Sequence, residues 1–299
     1  MTEFATRQGV DLGERPEKRP ALAKLAGLAR RQPLGAIGGF VAAALIFFAV
    51  FAPWVTPYDP VENDFARMLL PPTADHWFGT DRYGRDIMSR LIYGARTAVF
   101  VGLVSAFAGA TLGLLLGVTS AYFGGVFDLL VMRFNDVFMA FPVIIMALAI
   151  VAVFGSALPY VILAITLPIV PDCARIVRSS ALQIRSIPYI DAARALGYGH
   201  ARIILRHMLP NVLAPYLIIL TSGIGGAILL EASLSYLGLG VQEPTPAWGL
   251  MLQGGADAGV ESAGWVAFFP GLAIAVTVFG FNLFGDAVRD VLDPRLRRL

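Results

Sequence analysis

Lysine is almost absent from this 299-residue chain: Lys18 and Lys24, both near the N-terminus, are the only two. A phosphate-binding P-loop needs a lysine behind a glycine-rich turn, and no such site can form here. If ATP drives this protein, another polypeptide binds it. Cysteine is rarer still. The single Cys173 excludes an internal disulfide framework, and no Cys/His cluster has metal-ligand spacing. Histidine occurs three times, at His76, His200 and His207. Charge is scarce: 15% of residues, against about 25% in soluble domains. The net charge of +2 is too small to argue for nucleic acid. With 57% hydrophobic residues and a mean hydropathy of +0.70, the composition is that of an integral membrane protein.

Six apolar segments approach the roughly 20 helical residues that cross a bilayer: 35–56, 97–120, 137–154, 159–174, 209–230 and 265–285. The fourth is short and carries Pro168 and Pro171. Backbone amides in hydrocarbon must be satisfied within the segment, so an all-α membrane protein with six transmembrane helices is expected. The first segment is too long for a signal-peptide core and lacks a small-residue cleavage site, so it reads as a retained span.

Basic residues set the orientation. Residues 1–34 hold seven Lys and Arg, 172–207 six and 285–299 four, whereas 58–96 holds five against six acids and 236–264 none. Both termini and the loop 175–208 therefore face the cytoplasm. The expected organisation is a polar tail, 1–34, whose residues 21–31 suit an amphipathic interfacial helix or a plain extension of the first span; the first span, 35–56; an extracytoplasmic segment, 57–96; a five-helix core, 97–286; and a cytoplasmic tail, 287–299. Within 58–96, Thr80 suits a helix cap, predicting a short helix on the outer interface before the second span.

The spans are nearly bare of titratable groups. The first, second, fifth and sixth contain no Asp, Glu, Lys, Arg or His. That argues against enzyme chemistry, which needs such groups converging in a pocket, and against a proton relay inside the bundle. Asp136, Asp172 and Glu231 are the candidate residues of a solute pathway, each near a span boundary. Asp136 also fits an interfacial pair with Arg133 at i, i+3, and Glu231 fits a solvated helix end.

One polar stretch, "DAARALGYGHARIILRHMLPN" at 191–211, interrupts the hydrocarbon. Asp191 suits the positive start of a helix. Gly197 and Gly199 flank Tyr198 and permit a sharp turn. A second helix from His200 then runs into the fifth span at Leu209–Pro210. Ala192, Ala195, Leu196, Ile203 and Ile204 form the apolar side of the two helices, and Arg194, Arg202 and Arg206 their polar side. A small-residue face on an exposed helix permits close approach by another protein.

Asp191-Ala192-Ala193, three residues, Gly197, then Leu209-Pro210 after an 11-residue gap resembles the "EAA" loop of ATP-binding-cassette (ABC) importer permeases. Asp191 replaces the usual Glu, and His207 stands where many members have Ile. The blocks "FGTDRYGRDIMSRLIYGAR", "AYFGG", "FPVIIMALAIVAVFG", "RHMLPNVLAPYLI", "EASLSYLGLGVQEPTPAWGLML" and "FNLFGDAVRDVLDPRLR" extend the likeness to C-type permease subunits of dipeptide/oligopeptide importers, from about residue 22 to the C-terminus. Asp172 departs from the small or aromatic residue expected there. The resemblance implies a type I ABC importer permease fold and a coupling helix made by Asp191, Ala192, Ala193, Ala195, Leu196, Gly197, Arg202, Leu209 and Pro210. It also implies a homologous B-type permease partner, two ATPases that hold ATP and Mg so that this chain needs no cofactor, and an extracytoplasmic substrate-binding protein. It places the chain, lipid-embedded, in the cytoplasmic membrane of a prokaryote. The cargo it implies is di- or oligopeptide, with nickel chelate, glutathione or antimicrobial peptide as alternatives carried by the same machinery. A secondary transporter independent of any ATPase, and a channel or structural membrane subunit, are the other classes.

Overall fold

The computed structural model describes residues 32–292, apart from the side chains of 260–262. The candidate interfacial helix at 21–31 lies outside the described residues, as do 293–299. Among the described residues the chain is helical and forms no strand; one isolated bridge joins Thr80 and Asp86. The long helices are α1 (Pro33–Val55), α2 (Ile87–Phe123), α5 (Leu158–Arg185), α8 (Leu209–Tyr236) and α10 (Val260–Leu292). Between them lie α3 (Gly125–Met139), α4 (Val143–Phe154), α6 (Pro188–Ala195), α7 (His200–Ile203) and α9 (Trp248–Ala258). Five helices are long and apolar enough to cross a membrane, and α3 with α4 makes a sixth crossing if the bent pair is one span.

That pair departs from the straight third span expected over 137–154. α3 and α4 meet at 90°. Pro142 lacks an N–H and its ring crowds the residue before it, so the helix stops ahead of Pro142 and restarts at Val143. The fourth span, short in sequence at 159–174, is longer in the structure. α5 runs unbroken through Pro168 and Pro171, past 174 to Arg185. Both prolines are buried against neighbouring helices, a setting in which membrane helices tolerate proline.

The short helix expected before the second span is not separate either. Residues from Ile87 onward belong to the 37-residue α2, which extends the second span well beyond 97–120. Asp86, rather than Thr80, is the cap: its Oδ2 accepts from Ser89 N at 2.8 Å. Thr80 instead donates to the Arg67 carbonyl and accepts from Leu70 N at 2.9 Å. α8 continues past 230 to Tyr236, and α10 continues past 286 to Leu292, into the expected C-terminal tail.

α2 is the central post. It packs along α5 on one side and α8 on another; α1 lies outside, against α10 and α2. The α2–α5 contact is close because of small residues, as in membrane helix pairs generally. A Cβ at Gly113 would sit 2.5 Å from Cys173 Cβ and 2.7 Å from the Val170 carbonyl oxygen; Gly109 and Gly117, one turn to either side, are equally tight against α5 backbone. Gly113→Leu is therefore expected to wedge the two helices apart and abolish monodisperse protein on detergent size-exclusion chromatography. Leu115→Ala, at an exposed position on the same helix, should elute unchanged.

Candidate functional site

At the end of the bundle where α5 finishes, the chain leaves through Ser186 and Ile187 and starts α6 with Pro188 at its first turn. The missing N–H of proline costs nothing there. The helix thus begins three residues before Asp191, which lies in its first turn and accepts from Arg194 Nη1 at 3.3 Å. α6 is pinned by two side chains. Ile190 is fully buried and Ala193 is 4% exposed, both in a cluster that includes Ala121 of α2, Val177 of α5 and Val212 of α8.

Ala193 therefore faces the bundle, and Ile203 is buried and Ile204 half-buried in the same cluster. The single apolar side expected from sequence is split. Ala192, Ala195 and Leu196 point the other way, with Leu196 73% exposed. Asp191, Gly197 and Arg202 are exposed beside them.

The turn between the helices is a Schellman motif. Tyr198 N donates to the Ala193 carbonyl at 3.1 Å and Gly197 N to the Arg194 carbonyl at 2.9 Å. It requires Gly197 in the left-handed region, at φ +77°. Tyr198 then stacks on His207 with centroids 6.0 Å apart, and the Arg202 guanidinium lies 4.8 Å from the Tyr198 centroid. Tyr189 Oη donates to the His207 carbonyl at 3.1 Å, and Asn211 Nδ2 donates to the same carbonyl at 2.7 Å. His200 Nδ1 lies 2.7 Å from Tyr122 Oη, fastening the loop to the end of α2.

α7 does not pass directly into α8. Residues Ile204–Met208 form a π turn, with Leu209 N donating to the Ile204 carbonyl. Pro210 cannot donate to the carbonyl one turn back, and the wider turn accommodates that gap. Helical backbone nevertheless runs from His200 to Tyr236, so the exposed loop is the end of a spanning rod.

The three pathway candidates are not brought together. Asp136 is exposed on α3 and accepts from Arg175 Nη2 at 2.8 Å, with Arg133 at 3.7 Å; the expected i, i+3 pair is present, but Arg175 is the nearer partner. Asp172 is exposed on α5, one turn before Arg175. Glu231 is not a solvated helix end. It is 1% exposed inside α8, and its Oε1 accepts from Ser235 Oγ at 2.6 Å.

Two ion-pair networks were not foreseen. Near the α6 end, the Asp128 carboxylate takes two hydrogen bonds from Arg178 at 2.6 Å and another from Ser120 Oγ, tying α3 to α5 and α2. At the opposite end, Arg85 Nε donates to Asp81 Oδ2 at 2.7 Å and its Nη1 to Glu243 Oε2 at 2.9 Å. Arg90, 1% exposed, donates to Glu243 Oε1 at 3.2 Å and to the Pro60 carbonyl at 2.9 Å. Burial raises the Glu243 carboxyl, but hydrogen bonds and charge from Arg85 and Arg90 outweigh it and leave it below the usual carboxylate range. Burial likewise opposes the Arg85 charge, and Glu243 and Asp81 overcome it. This lock joins the segment before α2 to the segment between α8 and α9. The only sequence signal is the spacing of Asp81, Arg85 and Arg90, which does not point to Glu243.

The geometry is that of a polytopic helical bundle with an organised loop at one end. The sequence pattern of the family described as "Binding-protein-dependent transport system inner membrane component" matches residues 109–298, and that of the "N-terminal TM domain of oligopeptide transport permease C" matches 29–72. The chain belongs to the first of these families: it is a non-catalytic permease subunit of an ABC importer in the inner membrane, served by ATPase and substrate-binding partners. A Brucella suis protein described as a peptide transport system permease is 42% identical over 99% of both chains. The dipeptide transport system permease protein DppC of Alkalihalophilus pseudofirmus is 41% identical over 90% of this chain and 88% of its own. The glutathione transport system permease protein GsiD of Escherichia coli is 44% identical over the same shares. A chain of the inward-facing MetNI methionine ABC transporter superposes with a TM-score of 0.56, at 21% identity over 69% of this chain and 98% of that one, a likeness of fold.

Proposed function

We propose that this permease carries di- and oligopeptides, paired with a homologous B-type subunit above two ATPases, with both termini and α6 on the cytoplasmic side. Peptide cargo is supported by relatives at 41–44% identity named for peptide, dipeptide and glutathione transport; glutathione is itself a tripeptide. The chain holds no cofactor of its own, and ATP and Mg belong to the ATPases.

The observation that carries the coupling role is the exposed patch of Ala192, Ala195 and Leu196 on a helix whose opposite side is pinned by Ile190 and Ala193. A flexible loop would absorb a push. Here the turn is closed by hydrogen bonds, and the chain beyond it is helical into the membrane, so displacement of α6 moves α8. ATP binding brings the ATPases together, their motion enters through α6, and the core switches between inward- and outward-open states. The test is uptake: membrane vesicles holding the complete complex and its binding protein should accumulate radiolabelled tri-alanine only when ATP is supplied to the ATPase side. Uptake driven by an ion gradient without ATP would instead support a secondary transporter.

A further inference from the structure

The segment 58–96 carries five arginines, and four of them are neutralised locally. Arg67 pairs with Asp64, Arg82 with Asp257, and Arg85 and Arg90 with Asp81 and Glu243. Arg96 is the exception: among the described residues it makes no ion pair, and its guanidinium rests 5.8 Å from the Tyr93 ring centroid. It is exposed, and it stands at the edge of the apolar part of α2, just before the exposed Phe100 and Phe107.

Arg96 borders a cavity of about 700 Å³, framed by Thr97, Phe100, the α4–α5 connection at Ser156 and Ala157, and the turn containing Gln242 and Thr245. That volume is within the range of small-molecule sites. No carboxylate lines it. Glu243 is next in sequence to Gln242 but is turned to Arg85 and Arg90, so it leaves Arg96 unneutralised. The other polar groups of the wall are partly spent: Thr97 Oγ1 donates to the Pro246 carbonyl, and Gln242 Nε2 donates to the carbonyls of Gly238 and Gly240. The hydroxyls of Ser156 and Thr245 have no hydrogen-bond partner among the described residues.

We propose that this cavity is an oxyanion subsite on the solute's route, where Arg96 holds the C-terminal carboxylate of a peptide. An arginine fork matches a carboxylate with two parallel hydrogen bonds. The Ser156 and Thr245 hydroxyls can donate to the same oxygens, and the Phe100 ring offers an apolar wall to the adjoining side chain. A site with one cation and no acid favours that end of a peptide over its amino end. The site rests on the peptide reading above, since the fork recognises an oxyanion and the reading supplies which one.

The test uses the complete complex in vesicles, with p-benzoylphenylalanine replacing Phe100 and radiolabelled tri-alanine as the probe. Tri-alanine uptake by the unaltered complex tests peptide cargo by itself. Photolysis during turnover should attach the label to this chain. Arg96→Gln should lower that adduct and the uptake about tenfold, and Arg96→Lys should retain a substantial part of both. Because Arg96 is exposed, both variants should assemble with their ATPases. Adducts only to lipid, to the binding protein or to the partner permease would overturn the proposal, as would an unchanged peptide adduct in Arg96→Gln.

Discussion

Replacing Gly197 with valine should reduce ATP-driven uptake by about two orders of magnitude while leaving membrane insertion intact. The effect does not come from a local clash, because a Cβ at Gly197 would meet nothing within 4 Å. It comes from the backbone. At φ +77° a β-branched residue pays roughly 1–3 kcal/mol, enough to open a turn held by two hydrogen bonds. Once the Schellman bonds are lost, Leu196 and Tyr198 shift relative to Ile190 and Ala193, and the patch no longer moves with α8. Two controls separate backbone from contact. Gly199 has equal room but lies at φ −65°, so Gly199→Ala should transport normally. Gly197→Asn, which tolerates the left-handed region, should keep most uptake. Basal ATPase activity persisting in Gly197→Val without uptake is the expected signature of uncoupling.

Asp81→Ala should lower the thermal unfolding midpoint by about 10 °C, the second large effect. Asp81 is buried, partners Arg85 and Arg90, and also accepts from Tyr83 N at 2.8 Å and Arg85 N at 3.0 Å. Removing one partner from a buried ion pair costs about 3–5 kcal/mol, and each kcal/mol shifts the midpoint by about 2–4 °C for a chain of this order of size. Scanning thermal shift against pH refines the same prediction. The Glu243 carboxyl is depressed from 4.5 in the folded chain, so its contribution is complete above 4.5 and is lost as pH falls through the lower folded value. Wild-type protein should therefore keep its midpoint at neutral and mildly acidic pH and lose it only below the ordinary carboxylate range. Glu243→Gln should flatten that acid-side drop.

Composition and periodicity located the spans because hydrocarbon imposes a length and a polarity that no local packing can disguise. The cytoplasm-facing reading of 175–208 and the docking helix rested on the same contrast, and Gly197 stood out because its neighbours are helix formers. Boundaries set by tertiary contacts were less legible. Pro142 broke its helix whereas Pro168 and Pro171 did not, and the difference lies in the neighbours packed around α5. Asp86 rather than Thr80 capped α2, a choice made by the folded segment that occupies Thr80 with Arg67 and Leu70. Glu231 reads as a helix end because the apolar run stops there; its burial, 1% exposed inside α8, was invisible. The Asp81–Arg85–Arg90–Glu243 lock brings together residues more than 150 positions apart, as with Arg85 and Glu243, and a single sequence holds no record of that pairing.

In the proposed coupling, the Leu196 patch meets an ATPase. Leu196→Cys, labelled with a maleimide benzophenone in the complete complex, tests it directly, since the native Cys173 is buried and silent. Photolysis is expected to join this chain to an ATPase subunit, with a yield that changes when ATP is bound. Full labelling at Leu196 followed by adducts only to lipid or water, with the ATPases present, would contradict it.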